Sequence, residues 1–215
     1  MQAHNFDNLI LSINNELKLQ CSMALDAFNA AKRDLQIYAE RSKKEPDNLT
    51  DIDEVRQYFE KASEAQHGFF RNVHSFIVCH ANISKLFHWK GNGYKGQNKF
   101  PGSNEEKEKI KEHLQFLRQG LDSFEDNHRE LRDHIEHFDE RLINSAYISD
   151  ICSLSFKHST SQNERAIGKS KKDYLREIVY DQMIYSVRGI DYNLAIMVKD
   201  VMKLKNGLET ASRLF

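Results

Sequence analysis

From Phe6 to Tyr38 the apolar residues fall three and four apart without a break: Phe6, Leu9, Ile10, Ile13, Leu17, Cys21, Ala24, Leu25, Phe28, Ala31, Leu35 and Tyr38. That spacing is the period of an α-helix, so residues 5 to 42 predict one long helix carrying a single apolar stripe. The string "KKEPDNLTD" ends it, because Pro46 cannot continue a helix and the Asn and Asp around it supply turn chemistry and a cap for the next one. A second stripe follows from about Asp51 to Phe87, through Ile52, Val55, Phe59, Ala62, Phe69, Phe70, Val73, Phe76, Ile77 and Phe87, and it is the most aromatic of the elements.

The rest of the chain is consistent with a helical protein. Two prolines and nine glycines in 215 residues, with 40% hydrophobic and 29% charged residues, exclude a disordered chain and a turn-rich β-sandwich. "WKGNGYKGQNKFPGS" interrupts every period and reads as a loop. "NEEKEKIKEHLQFLRQGL" predicts a shorter helix with acids in its first turn, where the helix dipole favours them. A further helix is expected from about Ser123 to Asn144, with Phe124, Leu131, Ile135, Phe138 and Leu142 on its stripe.

Beyond residue 145 the texture changes. "SFKHSTSQNERAIGKSKK" is polar, basic and loop-like, and "YLREIVYDQMIYSVRG" has the β-branched and aromatic composition of a hairpin turning near Asp181 and Gln182. "DYNLAIMVKDVMKLKNGLETA" reads as a terminal helix capped by Asp191 or Asn193. The expected fold is therefore predominantly all-α: an antiparallel bundle of four or five helices over residues 1–144, with the loop, a small β-hairpin and the C-terminal helix of 145–215 packed on the same domain.

Charge and cysteines narrow the partners. The formal net charge of −1 supplies no global field toward nucleic acid or anionic lipid, so any such binding must come from a local basic patch. Cys21, Cys79 and Cys152 are odd in number, far apart and without CxxC spacing, which points to reduced thiols. The N-terminus lacks the features of a signal peptide, and no window approaches the roughly 18 apolar residues of a membrane span. A cytoplasmic protein that does not enter a membrane is expected.

The richest stretch for chemistry is "HRELRDHIEHFDERL", residues 128–142. On a helical wheel Leu131, Ile135, Phe138 and Leu142 share an arc of about 60°, while Glu130, Asp133, His134, His137 and Arg141 gather on the opposite side. A solvated face with pairs three and four apart is the plain reading. Within it stands Arg132-Asp133-His134-Ile135-Glu136-His137: an Arg, a small polar residue directly after it, and a His five positions on. This string resembles the signature of the HEPN family of all-helical proteins, in which Arg and His are borne on a late helix of an antiparallel bundle. Arg129 and His134 form an overlapping second copy, with Glu130 in the polar position.

The resemblance implies a metal-independent endoribonuclease without cofactors. His137 would exchange a proton with the ribose 2′-OH or the leaving oxygen, Arg132 would hold the phosphate, and Asp133 would orient or polarise. Positions five apart on one helix point about 140° away from each other, so a composite site across a homodimer axis is expected. The same resemblance brings in RNA as substrate and an antitoxin or other protein as partner.

Other residues offer less. His80 and Ser84 lie in the second stripe one turn apart; a core histidine satisfied by a nearby acceptor is the plainer account, a shared cleft with the 123–144 helix the alternative. Glu64 with His67 and Glu125 with His128 are Glu-x-x-His strings, but chance alone supplies about one in a chain this rich in both, and no metal is expected. A divalent ion on Glu130, Asp133, His134 and His137 would lack a second element to close its shell. "GKS" at 168–170 has Asn163 where a P-loop needs Gly. Lys90, Lys95 and Lys99 interleave with Trp89, Tyr94 and Phe100, and Lys169, Lys171 and Lys172 follow Lys157 and Arg165, so both loops carry residue types that contact RNA.

Overall fold

Asp51 sits in extended backbone (φ −83°, ψ 103°) and its side chain accepts the backbone N–H groups of Asp53 and Glu54, which starts a helix that runs unbroken from Ile52 to Phe87. The computed structural model describes residues 3–41, 51–90, 100, 102–124, 152–157, 174–187 and 189–211. Among these are four α-helices: α1 (Ala3–Arg41), α2 (Ile52–Phe87), α3 (Asn104–Arg118) and α4 (Leu194–Ala211). A short 3-10 turn, Asp122–Phe124, follows α3. Strands β1 (Cys152–Lys157), β2 (Tyr174–Val179), β3 (Ile184–Val187) and β4 (Ile190–Asn193) precede the last helix. The described residues are mostly helical, with a small sheet before the C-terminal helix.

α1 and α2 lie antiparallel. Tyr58 donates to the Arg41 carbonyl at 2.8 Å, Asn72 to the Asp34 carboxylate at 2.7 Å and Asn82 to the Gln20 side chain at 3.3 Å, so positions on α2 rise as their partners on α1 fall. Gly68 allows a close approach, its backbone lying directly against the Asp34 carboxylate. α3 begins with a capping box in which Ser103 and Glu106 satisfy each other's backbone N–H groups, and His113 ties it to α1 by donating to the Asn14 side chain at 2.8 Å. Asn193 caps α4 through the Ile196 N–H, one of the two residues expected to do so.

One cluster of buried side chains runs from Leu17, Cys21 and Phe28 on α1, through Phe69, Phe76 and Ile77 on α2, to Leu114 on α3, Tyr185 on β3 and Met197 on α4. Each such side chain contributes roughly 1.5–3 kcal/mol by leaving water. The expected stripe of α2 is buried only from Ala65 onward, and Ile52 and Phe59 are 75% and 64% exposed. Among the described residues the cause is reach: Tyr58 meets Arg41, the last residue of α1, so this end of α2 has only a helix end beside it.

The sheet is larger than the hairpin expected from sequence. β2 and β3 do form that hairpin, turning through Tyr180–Met183, but β4 pairs antiparallel with β3 and β1 pairs parallel with β2. The second turn spans two residues between Val187 and Ile190, with Gly189 at φ 86°, a conformation that costs glycine no steric strain. β4 has only four residues, too few to show a period, and β1 covers Ser155–Lys157, which read as loop. The row Ile178, Tyr185, Tyr192 is buried, and the Phe70 ring of α2 sits 6.3 Å from that of Tyr185.

Candidate functional site

The densest polar cluster among the described residues surrounds the 3-10 turn after α3. Ser123, 2% exposed, shares a 3.1 Å hydrogen bond between its Oγ and His80 Nε2, and its backbone N–H donates at 2.7 Å to the carboxylate of Asp200, which is 4% exposed. The next residue, Phe124, stacks its ring on the His80 imidazole, with centroids 4.2 Å apart and planes 8° apart. Its carbonyl accepts from His88 Nε2 at 2.9 Å. Because that bond places the proton on Nε2, His88 Nδ1 is the acceptor facing Arg118, 3.2 Å from Nη1. Lys203 of α4 donates to the Gly120 carbonyl at 3.0 Å.

Ser, His and Asp meet here, but not in the order that makes a nucleophile. The Asp200 carboxylate accepts the Ser123 backbone rather than the His80 ring, and all three side chains are sealed from solvent. Their role is to join α2, the 3-10 turn and α4 through satisfied buried polar groups. His80 is thus the core histidine with a partner, and Ser84 is half-buried one turn on, its carbonyl accepting from the His88 N–H.

Arg129, Arg132, Asp133, His134 and His137 lie outside the described residues, as do Lys95, Lys99, Tyr94, Lys169, Lys171 and Lys172. Of the first basic loop, Trp89 and Phe100 are described. Their rings meet edge to face at 5.5 Å and both pack against the core, so Trp89 is largely committed to the protein itself. Lys90 beside it is exposed. Glu64 and His67 are both exposed on α2, away from any bundle interior. Among the described residues no group of three or more His, Cys, Asp or Glu is placed to hold a metal ion.

Titratable groups point the same way. Burial pushes the Cys21 thiol up to about 12 and raises that of Cys79, so neither is an available thiolate near neutral pH. Burial lowers the proton affinity of His74, helped by the Arg176 charge, and of His113. The contacts of His80, His88, Ser123 and Asp200 join positions 30 to 77 residues apart, and no local pattern in the sequence announces them. No helix among the described residues is long and apolar enough to cross a membrane. No family model, curated protein or solved structure matches the chain.

Proposed function

We propose that this chain is a metal-independent endoribonuclease of the HEPN type, an antiparallel bundle of four or five helices that works as a homodimer in the cytoplasm, as a toxin or defence protein with an antitoxin or similar protein partner. The observation that carries the reading is the string Arg132-Asp133-His134-Ile135-Glu136-His137. A mostly helical chain with a long antiparallel helix pair supports it.

The chemistry needs few parts. His137 accepts the 2′-OH proton as the 2′ oxygen attacks phosphorus; the P–O5′ bond breaks, leaving a 2′,3′-cyclic phosphate, and the departing 5′ oxygen takes its proton from water. Arg132 neutralises the charge building on the non-bridging oxygens, which a planar, always protonated fork does well. Asp133 orients the pair, and the partner copy completes the site.

Purified protein incubated with single-stranded RNA in excess EDTA tests this directly. The wild type should cleave, His137→Ala should lose most activity while keeping its circular dichroism, and Arg132→Lys should fail because a point charge does not replace the fork. Arg129→Ala and His134→Ala should matter less. Cleavage that EDTA abolishes would refute the metal-independent mechanism.

A second reading, a non-catalytic helical dimerisation or protein-interaction module, is favoured by one feature of α1. Leu19 and Met23, 53% and 48% exposed, lie on the side of the helix opposite Leu17, Cys21 and Phe28, and Leu11, 55% exposed, lies on the flank between the two faces. Absence of cleavage across several RNAs, with a dimer by light scattering, would select it.

A further inference from the structure

Three helices bring basic side chains to the six-residue stretch between α3 and the end of the 3-10 turn. Arg118 closes α3, His88 caps the C-terminus of α2, and Lys203 reaches across from α4. Arg118 engages the His88 ring through Nη1 alone, and Lys203 spends one of its three donors on the Gly120 carbonyl. Neither cation has a carboxylate partner among the described residues, in contrast to Lys109 and Lys111, each of which is paired with a Glu of its own helix. Lys90, two residues after His88, is exposed and likewise without a partner there. Two acids stand close: Asp200 is buried with an oxygen on the Ser123 N–H, and Asp122 is exposed.

We propose that the corner formed by Arg118, His88 and Lys203 binds a phosphate group. Arg118 presents the planar fork that matches phosphate geometry, and it is held in place by the imidazole rather than neutralised by an acid. His88 is in turn fixed by the Phe124 carbonyl, so the fork sits on a rigid seat at the edge of the core. Lys203 adds a second cation from a different helix. This does not rest on the ribonuclease reading, since none of these residues belongs to the 128–142 stretch. An RNA backbone and a small free anion both present this phosphate chemistry, and the experiment separates the two.

Fluorescence anisotropy of a short labelled single-stranded RNA should show binding by the wild type that weakens with salt. Arg118→Gln with Lys203→Gln should weaken it on the order of tenfold and lower the salt slope by about 1.4, two cations at about 0.7 each. Asp122→Asn, a surface change that touches none of the contacts above, should tighten it. Inorganic phosphate that competes at millimolar concentration marks a site for the free anion; failure to compete, with the double variant still weakened, marks the polymer backbone. Unchanged affinity in the double variant, no change with Asp122→Asn, or no wild-type binding at low salt would each overturn the proposal. Cleavage by a wild type whose RNA affinity ignores these substitutions sinks this corner alone. Binding without cleavage sinks the ribonuclease reading alone.

Discussion

Replacing Gly68 with Ala tests the α1–α2 interface where the Asp34 carboxylate lies against the Gly68 backbone. In an open helix interior the change stabilises by about 1 kcal/mol, because Gly carries the larger unfolded-state entropy. At Gly68 the added Cβ would stand 2.7 Å from Oδ2 and 2.9 Å from Cγ of Asp34, too close to tolerate, so the carboxylate must swing away. It then gives up the 2.7 Å bond from Asn72, a charged-acceptor bond of about 1.5–3 kcal/mol, taken here near its lower end because the pair is only part-buried. Rotamer strain adds about 0.5–1.5 kcal/mol. The opposing terms exceed the propensity gain, leaving a net loss of about 1–2 kcal/mol. Gly207, on α4, has nothing within 4 Å of an added Cβ, so Gly207→Ala should show the gain undiminished, worth about 2–4 °C in melting temperature for a chain of this size. Urea unfolding followed at 222 nm measures both. In an Asp34→Ala background Gly68→Ala should change sign and become stabilising, a coupling that a double-mutant cycle isolates. Equal stabilisation by Gly68→Ala and Gly207→Ala in the wild-type background would refute the close approach.

Asp200→Ala strands the buried Ser123 N–H without an acceptor and should cost about 1–3 kcal/mol in the same unfolding assay, while Asp200→Asn, which keeps an oxygen there, should cost clearly less; equal losses would show that the bond does not matter. Acid should weaken the fold. His74 and His113 both bind protons less readily folded than unfolded, so below their ordinary value of 6.5 the unfolded chain takes up protons that the folded chain refuses. Their stabilisation is complete above that pH and declines as pH falls toward their lowered folded-state values. Urea midpoints from pH 7.5 to 5.5 should drop, and His74→Gln with His113→Gln should flatten the trend; an unaltered slope in that double variant would remove these histidines as its cause.

The long helices were legible because their information is local. A stripe repeating three and four apart over residues 6–38 has one regular backbone that puts it on one face, and Asp51, Ser103 and Asn193 start the later helices through contacts no more than three residues long. The β2–β3 turn was legible for the same reason. β4 was not, although the Gly at 189 was its one available signal, because four residues are too short for a period and the strand exists only through its pairing with β3. The exposure of Ile52 and Phe59 also escaped the sequence, since a stripe says which residues share a face and not whether another element reaches far enough to cover it.

The candidate site divides along the same line. Arg132, Asp133 and His137 are visible in the sequence because the string is six residues long, and the chemistry proposed for them rests on that string. The cluster that joins α2, the 3-10 turn and α4 was decided by tertiary structure alone. His80 could be recognised as a polar residue on an apolar stripe that needed a partner, but the partner, Ser123, lies 43 residues away and Asp200 a further 77. The sequence fixes the demand for a hydrogen bond, because a buried unpaired polar group costs too much to leave; which group meets it depends on how helices distant in the chain pack together.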